Sequence, residues 1–362
     1  MELMVKVVLL ALAIMMPWCS FAVDIQLARQ WAAKSNVSCI LVFGDSSVDP
    51  GNNNVLRTSM KSNFPPYGKD FFNSLPTGRF CNGRLATDFI AEALGYRQML
   101  PAFLDPNLKV EDLPYGVSFA SAATGFDDYT ANVVNVLPVS KQIQYFMHYK
   151  IHLRKLLGEE RAEFIIRNAL FIVSMGTNDF LQNYFIEPAR PKQFSLLKFQ
   201  NFLLRRMSKD IEVMHRLGAR RLVVVGVIPL GCIPLTKAIM GQNDTCVASL
   251  NKVASSFNAK LLQQISNLKA KLGLQTYYVD VYGMIQSAVM NPKKYGFEEG
   301  SKGCCGSGIY EYGDTCRGMS TCSEPDKYVF WDAVHPTQKM YKIIADDVIE
   351  SVTKEPIHST TN

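Results

Sequence analysis

Residues 39–54 read CILVFGDSSVDPGNNN, and the interpretation of the whole chain starts from them. An apolar run comes first, without the alternation of a half-exposed strand, which is typical of a strand buried on both faces of a parallel sheet. A glycine, an aspartate and two serines follow at once. These residue types end strands for conformational reasons alone, so a turn is one interpretation. A serine nucleophile at the strand end is the other.

Runs of the same kind recur along the chain and alternate with helical patterns. The predicted strands are 39–43, 169–173, 221–227 and 276–281. The predicted helices are 140–157, 194–217, 247–272 and 337–353, and a glycine follows each of the first three. This alternation predicts a doubly wound α/β fold, a three-layer α/β/α sandwich around a central, mostly parallel sheet.

The N-terminal segment 1–22 has the features of a secretory signal peptide. A lysine near its start precedes an apolar stretch of about ten residues, and small residues stand at Ser20 and Ala22. A membrane anchor is the less favoured alternative, because a span needs roughly 20 apolar residues. For 23–362 we expect one domain, with a long loop around 63–84 and a cysteine-rich loop at 304–322.

The cysteines fit an oxidising compartment. Of the nine, Cys19 lies in the predicted signal, and an even number remains, which favours disulfides in a secreted chain. Four lie in the cysteine-rich loop, CCGSGIYEYGDTCRGMSTC, whose spacing lacks the C-x₂-C pairs typical of the alternative, a structural zinc site. The one pair we predict is Cys232 with Cys246.

Two N-x-[ST] triplets, at Asn36 and Asn243, predict glycosylation of a secreted protein. The net charge of +6 is modest, and the basic residues are spread along predicted helices instead of clustered with aromatic residues. This pattern argues against a nucleic-acid partner. A weak attraction to an anionic polysaccharide stays open as an alternative.

A serine hydrolase needs a base, and histidine is scarce here. His335 lies in FWDAVHPTQK, with Asp332 three residues before it, and Pro336 disfavours helical geometry at the histidine. Asp332 is then close enough to accept a ring N–H and fix the tautomer. The alternative is an ordinary turn at the start of a helix. His148 and His152 have the i, i+4 spacing of metal ligands but no neighbouring carboxylate or cysteine, which favours an exposed helix pair.

A third polar segment, SMGTNDF at 174–180, follows a predicted buried strand. Its Asn178 can direct a side-chain amide into the crevice at the strand end, although Asn and Asp also end strands as turn residues. Loops at the carboxyl ends of parallel strands meet at one edge of the sheet. Ser46, Asn178 and His335 therefore bring a hydroxyl, a donor and a base to a single edge.

The chain resembles the GDSL esterase/lipase family of SGNH hydrolases, in particular its large secreted plant branch, over nearly all of 23–362. Six segments carry the resemblance: VFGDSSVDPGNNN, FPPYGKDF, PTGRFCNGR, GVSFASAATGFDD, VSMGTNDF and WDAVHPTQ. The resemblance implies a flavodoxin-like fold, an ester substrate (a lipid, or an acylated polysaccharide or metabolite), no metal or organic cofactor, and no integral membrane association. It also implies a location in the apoplast or cell wall, and we expect a monomer.

The same resemblance assigns roles by position. Ser46 would be the nucleophile, His335 the base and Asp332 the orienting acid. The oxyanion hole would comprise the Ser46 N–H, the Asn178 amide and the Ala122 N–H. The family position that Ala122 occupies is usually glycine, and activity would suffer if this residue needed a positive φ. Ser47 replaces a family leucine and receives no role.

Three functions follow, in descending order of support: an esterase or lipase that releases its acyl group to water, a binding or coat protein that has lost efficient catalysis, and an acyltransferase that uses the same residues. Residues 64–72 are rich in aromatic side chains and form either a wall for an acyl chain or core beneath the long loop.

Overall fold

A computed structural model describes residues 23–241 and 245–354. The predicted signal peptide, Asn243 and His358 lie outside these residues. The central sheet has the strand order β2-β1-β3-β4-β5, and every neighbouring pair is parallel. Its strands are β1 Ile40–Gly44, β2 Gly116–Ser118, β3 Leu170–Ser174, β4 Arg221–Val225 and β5 Gln275–Val279. This order is that of flavodoxin-like folds, so the predicted fold class is confirmed.

Helices cover both faces of the sheet and join its strands. They are α1 Ile25–Lys34, α2 Ala86–Ala93, α3 Asp128–Val133, α4 Val139–Leu157, α5 Glu159–Asn168, α6 Thr177–Phe180, α7 Ala189–Gln193, α8 Leu196–Arg216, α9 Pro234–Met240, α10 Ala248–Leu272, α11 Val281–Met290 and α12 Gln338–Lys354. A second, two-stranded parallel sheet pairs β6 Glu299–Gly303 with β7 Tyr328–Phe330. In the described ranges no helix is long and apolar enough to cross a membrane.

The two faces of the sheet are packed with different side chains. On one face, Phe43 stacks on Phe119 and Phe171 at ring-centroid distances of 5.0 and 6.2 Å. The alternate residues of the same strands, such as Val42 and Ile172, point to the other face and pack against α2, α11 and α12. Both faces are buried, which explains why the strand sequences are continuously apolar.

The long loop and the cysteine-rich loop pack together at the carboxyl edge of the sheet. Phe64, Tyr67 and Phe80 are buried with Trp331 and Ala122 in a small aromatic cluster. Of the two roles that the sequence left open for this aromatic segment, the structure shows core. The segment therefore supports the edge of the sheet where the polar loops converge.

Two disulfides, Cys304–Cys322 and Cys305–Cys316, close the cysteine-rich loop, and a third, Cys232–Cys246, joins the segments on either side of α9. The predicted pair is confirmed, and the four cysteines of the cysteine-rich loop form disulfides, the alternative favoured over a zinc site. Cys39 and Cys81 remain buried thiols despite the even total. Burial raises the pKa of the Cys39 thiol to about 12, so it behaves as a small apolar side chain.

Candidate active site

The turn after β1 is fixed by close packing against β3. A Cβ on Gly44 would stand 2.1 Å from the Ser174 carbonyl oxygen, so no larger residue fits this crossing. The Gln142 side chain, from α4, accepts a hydrogen bond from the Gly44 N–H at 3.0 Å and donates to its carbonyl at 2.9 Å. The chain therefore leaves the strand in one direction and carries Ser46 over the edge of the sheet.

The structure brings together Ser46, His335 and Asp332. The Ser46 Oγ lies 2.9 Å from the His335 Nε2, and the His335 Nδ1 lies 2.8 Å from the Asp332 Oδ2. If Nδ1–H donates to the carboxylate, Nε2 is left with a lone pair aimed at the serine hydroxyl. Ser46 is 9% exposed, His335 7% and Asp332 fully buried, so little water reaches the contacts between them.

Asp332 is held by several donors besides the imidazole. Its Oδ1 accepts the backbone N–H groups of Val334 and His335, at 2.8 and 2.7 Å. The His335 carbonyl in turn accepts the Trp331 N–H at 2.7 Å, which closes the turn around the histidine. On the open side, the Phe80 ring packs against the imidazole with a centroid distance of 4.8 Å. These contacts leave the imidazole little freedom to rotate.

Sequence reasoning missed Tyr67. Its Oη donates to the Asp332 Oδ2 at 2.6 Å and accepts the Gly313 N–H, from the cysteine-rich loop, at 2.7 Å. Burial, with the Asp332 charge as the next cause, raises the pKa of Tyr67 well above its ordinary value, so the phenol stays a donor. The available signal was its place in FPPYGKDF, a segment quoted for the resemblance without a chemical role.

Asn178 lies in α6, directly after β3, and lines the same pocket as Ser46 and His335. Its amide nitrogen donates to the Thr124 carbonyl at 3.0 Å and has a longer contact of 3.4 Å to the Asp45 Oδ2. A stronger hydrogen-bond acceptor would displace the contact to Asp45, because it is the longer of the two. Among the described residues, no group accepts the Ser46 N–H. The pocket at the serine is therefore lined by two hydrogen-bond donors, the Ser46 N–H and the Asn178 amide.

Ala122 does not match the expectation made for it. Its N–H donates to the Asp49 Oδ2 at 2.9 Å and is therefore occupied in this structure. The positive φ falls one residue later, at Ala123, with φ +71°. The physical reason is that Asp49 gathers the surrounding N–H groups, including those of Gly51 and Asn52, and draws the Ala122 N–H into the same set. The backbone conformation suited to glycine therefore belongs to Ala123.

Ser47, which received no role from the sequence, holds the turn. Its N–H and Oγ both contact the Asp45 Oδ1, at 2.9 and 2.7 Å, and its Oγ lies 2.8 Å from the Ser174 Oγ. Ser47 therefore joins β1 to β3, while its neighbour Ser46 faces the histidine. Burial raises the pKa of Asp45 to about 6, opposed by the hydrogen bonds from Ser47.

Asp179 fixes the loop that meets Asn178. Its carboxylate accepts the Phe126 and Asp127 N–H groups at 2.7 and 3.1 Å and the Thr130 hydroxyl at 2.6 Å. A Cβ on Gly125 would meet this carboxylate at 2.2 Å, so only glycine allows the approach. The loop brings the Thr124 carbonyl to Asn178, and Asp179 thereby positions an amide that it does not touch.

The other predicted candidates lie elsewhere. His148 and His152 are exposed on α4, as the helix-pair interpretation expects. Asn36 is exposed after α1, with φ +50°. Within residues 23–241 and 245–354, no three His, Cys, Asp or Glu side chains form a group that could hold a metal ion.

Comparison with known proteins agrees with this geometry. The family model described as GDSL-like lipase/acylhydrolase matches residues 40–348. The chain belongs to this family. A GDSL esterase/lipase of Arabidopsis thaliana is 57% identical over 334 residues, which cover 92% of this chain and 93% of the relative. A second one from the same plant is 43% identical over 319 residues, 87% of this chain and 91% of the relative.

A solved structure, a phospholipase A1 from Streptomyces albidoflavus, covers 88% of the chain and 99% of its own length at 11% identity, with a TM-score of 0.37. The family assignment rests on the family model and the plant relatives alone. As a GDSL-like lipase/acylhydrolase, the protein is a hydrolase of ester bonds.

We expect Tyr67→Phe to lower kcat for an aryl ester by about tenfold or more, because a hydrogen bond to a charged group contributes roughly 1.5–3 kcal/mol. KM should change little, because Tyr67 does not line the pocket beside Ser46. Steady-state kinetics measures both constants. The matched control is Tyr149→Phe, which removes another buried phenol hydrogen bond, 3.0 Å to the Leu113 carbonyl. Equal losses in the two variants would contradict a role for Tyr67 in positioning Asp332.

A second prediction concerns Asp45 and pH. Its pKa is raised in the folded protein, so folding binds a proton between about pH 4 and pH 6, and the Asp45 contribution to the free energy of unfolding falls as pH rises through that window. Asp45→Asn lacks this titration. Relative to wild type, the variant should gain up to about 3 kcal/mol across the window. Urea unfolding at several pH values measures the difference, and a constant difference would contradict it.

Proposed function

We propose that the protein is a secreted serine esterase that hydrolyses carboxylic esters through an acyl-enzyme on Ser46. The observation that carries the proposal is the 2.9 Å contact between the Ser46 Oγ and the His335 Nε2, continued by the 2.8 Å contact between the His335 Nδ1 and Asp332. A hydroxyl, a base and an orienting acid in line are the arrangement that nucleophilic catalysis by serine requires. Family membership supports the same ester-directed chemistry.

In the first half-reaction the Ser46 Oγ attacks the ester carbonyl carbon, and its proton passes to the His335 Nε2. The imidazolium that forms is stabilised by Asp332, which keeps its own donors and remains a carboxylate. Collapse of the tetrahedral intermediate breaks the bond to the alcohol oxygen, and His335 returns the proton to the departing alcohol. Ser46 is left as an acyl ester.

The oxyanion needs donors aimed at the place where charge develops. The Ser46 N–H is one, and the Asn178 amide becomes another when its long contact to Asp45 gives way. The Ala122 N–H serves as the third only if it leaves Asp49. The neighbouring Ala123 N–H, which no group of the described chain accepts, is the candidate to replace it. The backbone conformation that favours glycine, a positive φ, occurs at this residue and not at Ala122.

In the second half-reaction an acceptor loses its proton to His335 and attacks the acyl-Ser46 carbonyl. The bond between the acyl carbon and the Ser46 Oγ then breaks, and His335 returns the proton to the serine oxygen. Water as acceptor completes hydrolysis, and a sugar or polyol hydroxyl completes acyl transfer by the same steps. We rank hydrolysis first because the family is one of lipases and acylhydrolases.

Secretion and glycosylation are part of the proposal. Three disulfides in the described chain fit an oxidising compartment. The Asn36 side chain is exposed and accessible to a glycan. Removal of 1–22 would leave a chain that begins just before α1.

We expect Ser46→Ala to lower the turnover of a p-nitrophenyl ester by about 10⁴-fold or more, since it removes the nucleophile. The matched control, Ser47→Ala, removes the adjacent hydroxyl and its contacts to Asp45 and Ser174. It should lower the free energy of unfolding by about 1 kcal/mol and retain most of the activity. Kinetics and urea unfolding of both variants test the assignment.

An organophosphonate adds a readout that does not depend on substrate choice. Stoichiometric labelling of the wild type and none of Ser46→Ala supports a reactive serine. Undiminished turnover by Ser46→Ala would refute the mechanism, and failure of the wild type to label would favour the binding or coat protein.

Glycosylation at Asn36 predicts a heavier chain on secretion from a eukaryotic host. Amidase treatment should lower the mass of the secreted wild type, and Asn36→Gln should lose one glycan, because the sequon is then absent. Asn243→Gln is the parallel variant. Mass spectrometry of the secreted proteins checks both, and masses of Asn36→Gln and wild type that differ before treatment only by the substituted residue would contradict the assignment at Asn36.

A further inference from the structure

We propose that the apolar pocket beneath Ser46 binds the acyl group of the ester, and that Tyr341 selects acyl groups that carry an oxygen acceptor within the chain. The inference rests on the proposed function, since it assigns the pocket to the acyl part of that reaction's substrate.

The pocket has a volume of about 80 Å³ and reaches from the serine into the protein. Ser46 and His335 line it together with apolar side chains, among them Ile172 and Val223 from the sheet and Ile285 from α11. A water molecule needs about 10–15 Å³ of such volume, so the pocket has room for several atoms. Its volume and lining suit a short acyl chain.

Among the polar residues that line the pocket, Tyr341 alone has a buried side-chain oxygen with no hydrogen-bond partner in the described residues. It lies on α12 and is 3% exposed. The buried phenols of Tyr67 and Tyr149 each have a partner, at 2.6 and 3.0 Å. Because buried hydroxyls are unfavourable without a partner, an unpaired one that lines a pocket points to a ligand atom that completes it.

The phenol acts as a donor. Burial raises the pKa of Tyr341 well above its ordinary value, and the nearby carboxylates of Asp45 and Asp332 act in the same direction, so the proton stays on the oxygen. A donor in an apolar wall favours an ether, hydroxyl or carbonyl oxygen at one position along the chain. A plain alkyl chain fills the same space but leaves the phenol unpaired.

An oxygen scan of the substrate tests this selection. The probes are p-nitrophenyl hexanoate and three isosteres in which oxygen replaces the methylene at chain carbon 3, 4 or 5. For each protein, kcat/KM for an isostere is divided by kcat/KM for hexanoate. For one isostere we expect this quotient to be about five- to tenfold larger in the wild type than in Tyr341→Phe. Taking the ratio between the two proteins cancels the intrinsic reactivity of each ester. Equal ratios at all three positions would overturn the role of Tyr341.

A second experiment tests whether the acyl chain of the substrate lies in this pocket. Ile285→Ala enlarges the pocket and should shift the preferred p-nitrophenyl ester to a longer acyl chain. Ile265→Ala is the matched control, because it removes an equally buried isoleucine, 3% exposed against 1%, from the core on the other face of the sheet. An unchanged chain-length profile in Ile285→Ala, or the same shift in the control, would overturn the assignment of the pocket.

Binding separates this inference from the catalytic proposal. Methyl hexanoate and its oxygen isosteres are titrated calorimetrically into Ser46→Ala and into Ser46→Ala/Tyr341→Phe. One isostere should bind about five- to tenfold more tightly than methyl hexanoate to Ser46→Ala, and this preference should be lost in the double variant. That result supports the pocket assignment even if Ser46→Ala retains turnover, because retained turnover would refute only the mechanism. Equal affinities in the two proteins would overturn the selection by Tyr341 even if Ser46 proves to be the nucleophile.

Discussion

The buried carboxylate of Asp332 is the group on which the active-site edge depends. It is fully inaccessible to solvent, and a charge in that position is tolerated only when it is surrounded by donors. Those donors come from two parts of the chain: the turn of Asp332 itself, with the His335 ring and two backbone N–H groups, and the long loop, with the Tyr67 phenol. Tyr67 in turn accepts an N–H of the cysteine-rich loop. Two loops without regular structure are thus ordered around one anion.

The same principle recurs in the other polar loops at this edge. Asp45, Asp49 and Asp179 are each buried after a strand or within its loop, and each gathers backbone N–H groups that the turn would otherwise leave unpaired. Burial raises the pKa of Asp179 to about 7, the cost of keeping an anion there. The network explains why Ala122 departs from its expected role, because its N–H completes the set around Asp49. A loop anchored by a carboxylate presents its remaining groups in fixed directions.

Features that depend on a local sequence pattern could be predicted, and features that depend on contacts between residues distant in the sequence could not. Strands β1 and β3–β5 were predicted to within about two residues. In β1 and β3, burial on both faces makes the sequence continuously apolar, and the half-buried β5 is marked by its β-branched and aromatic residues. Strand β2, with only Gly116–Ser118, is too short to show a pattern. Ser46, Asn178 and His335 were expected to meet, since each stands at the carboxyl edge of a parallel sheet. Tyr67 was not expected to join them. Its contacts to Asp332 and Gly313 link residues 265 and 246 positions apart, and no local sequence pattern indicates such contacts.

The two sheet faces are packed differently below Ser46, and the pocket proposed for the acyl group lies on one of them. Phe43 and Phe171 pack one face with stacked rings. The alternate positions carry the smaller β-branched Ile172 and Val223, and the space they leave against α2, α11 and α12 opens next to Ser46. Because successive side chains of a strand point to opposite faces, the same strands pack against an aromatic core on one face and line the pocket on the other. Since Tyr341 approaches that pocket from α12, the helix that begins three residues after His335, the base and the selecting phenol are carried by one continuous segment. A displacement of this segment would change reactivity and acyl preference together.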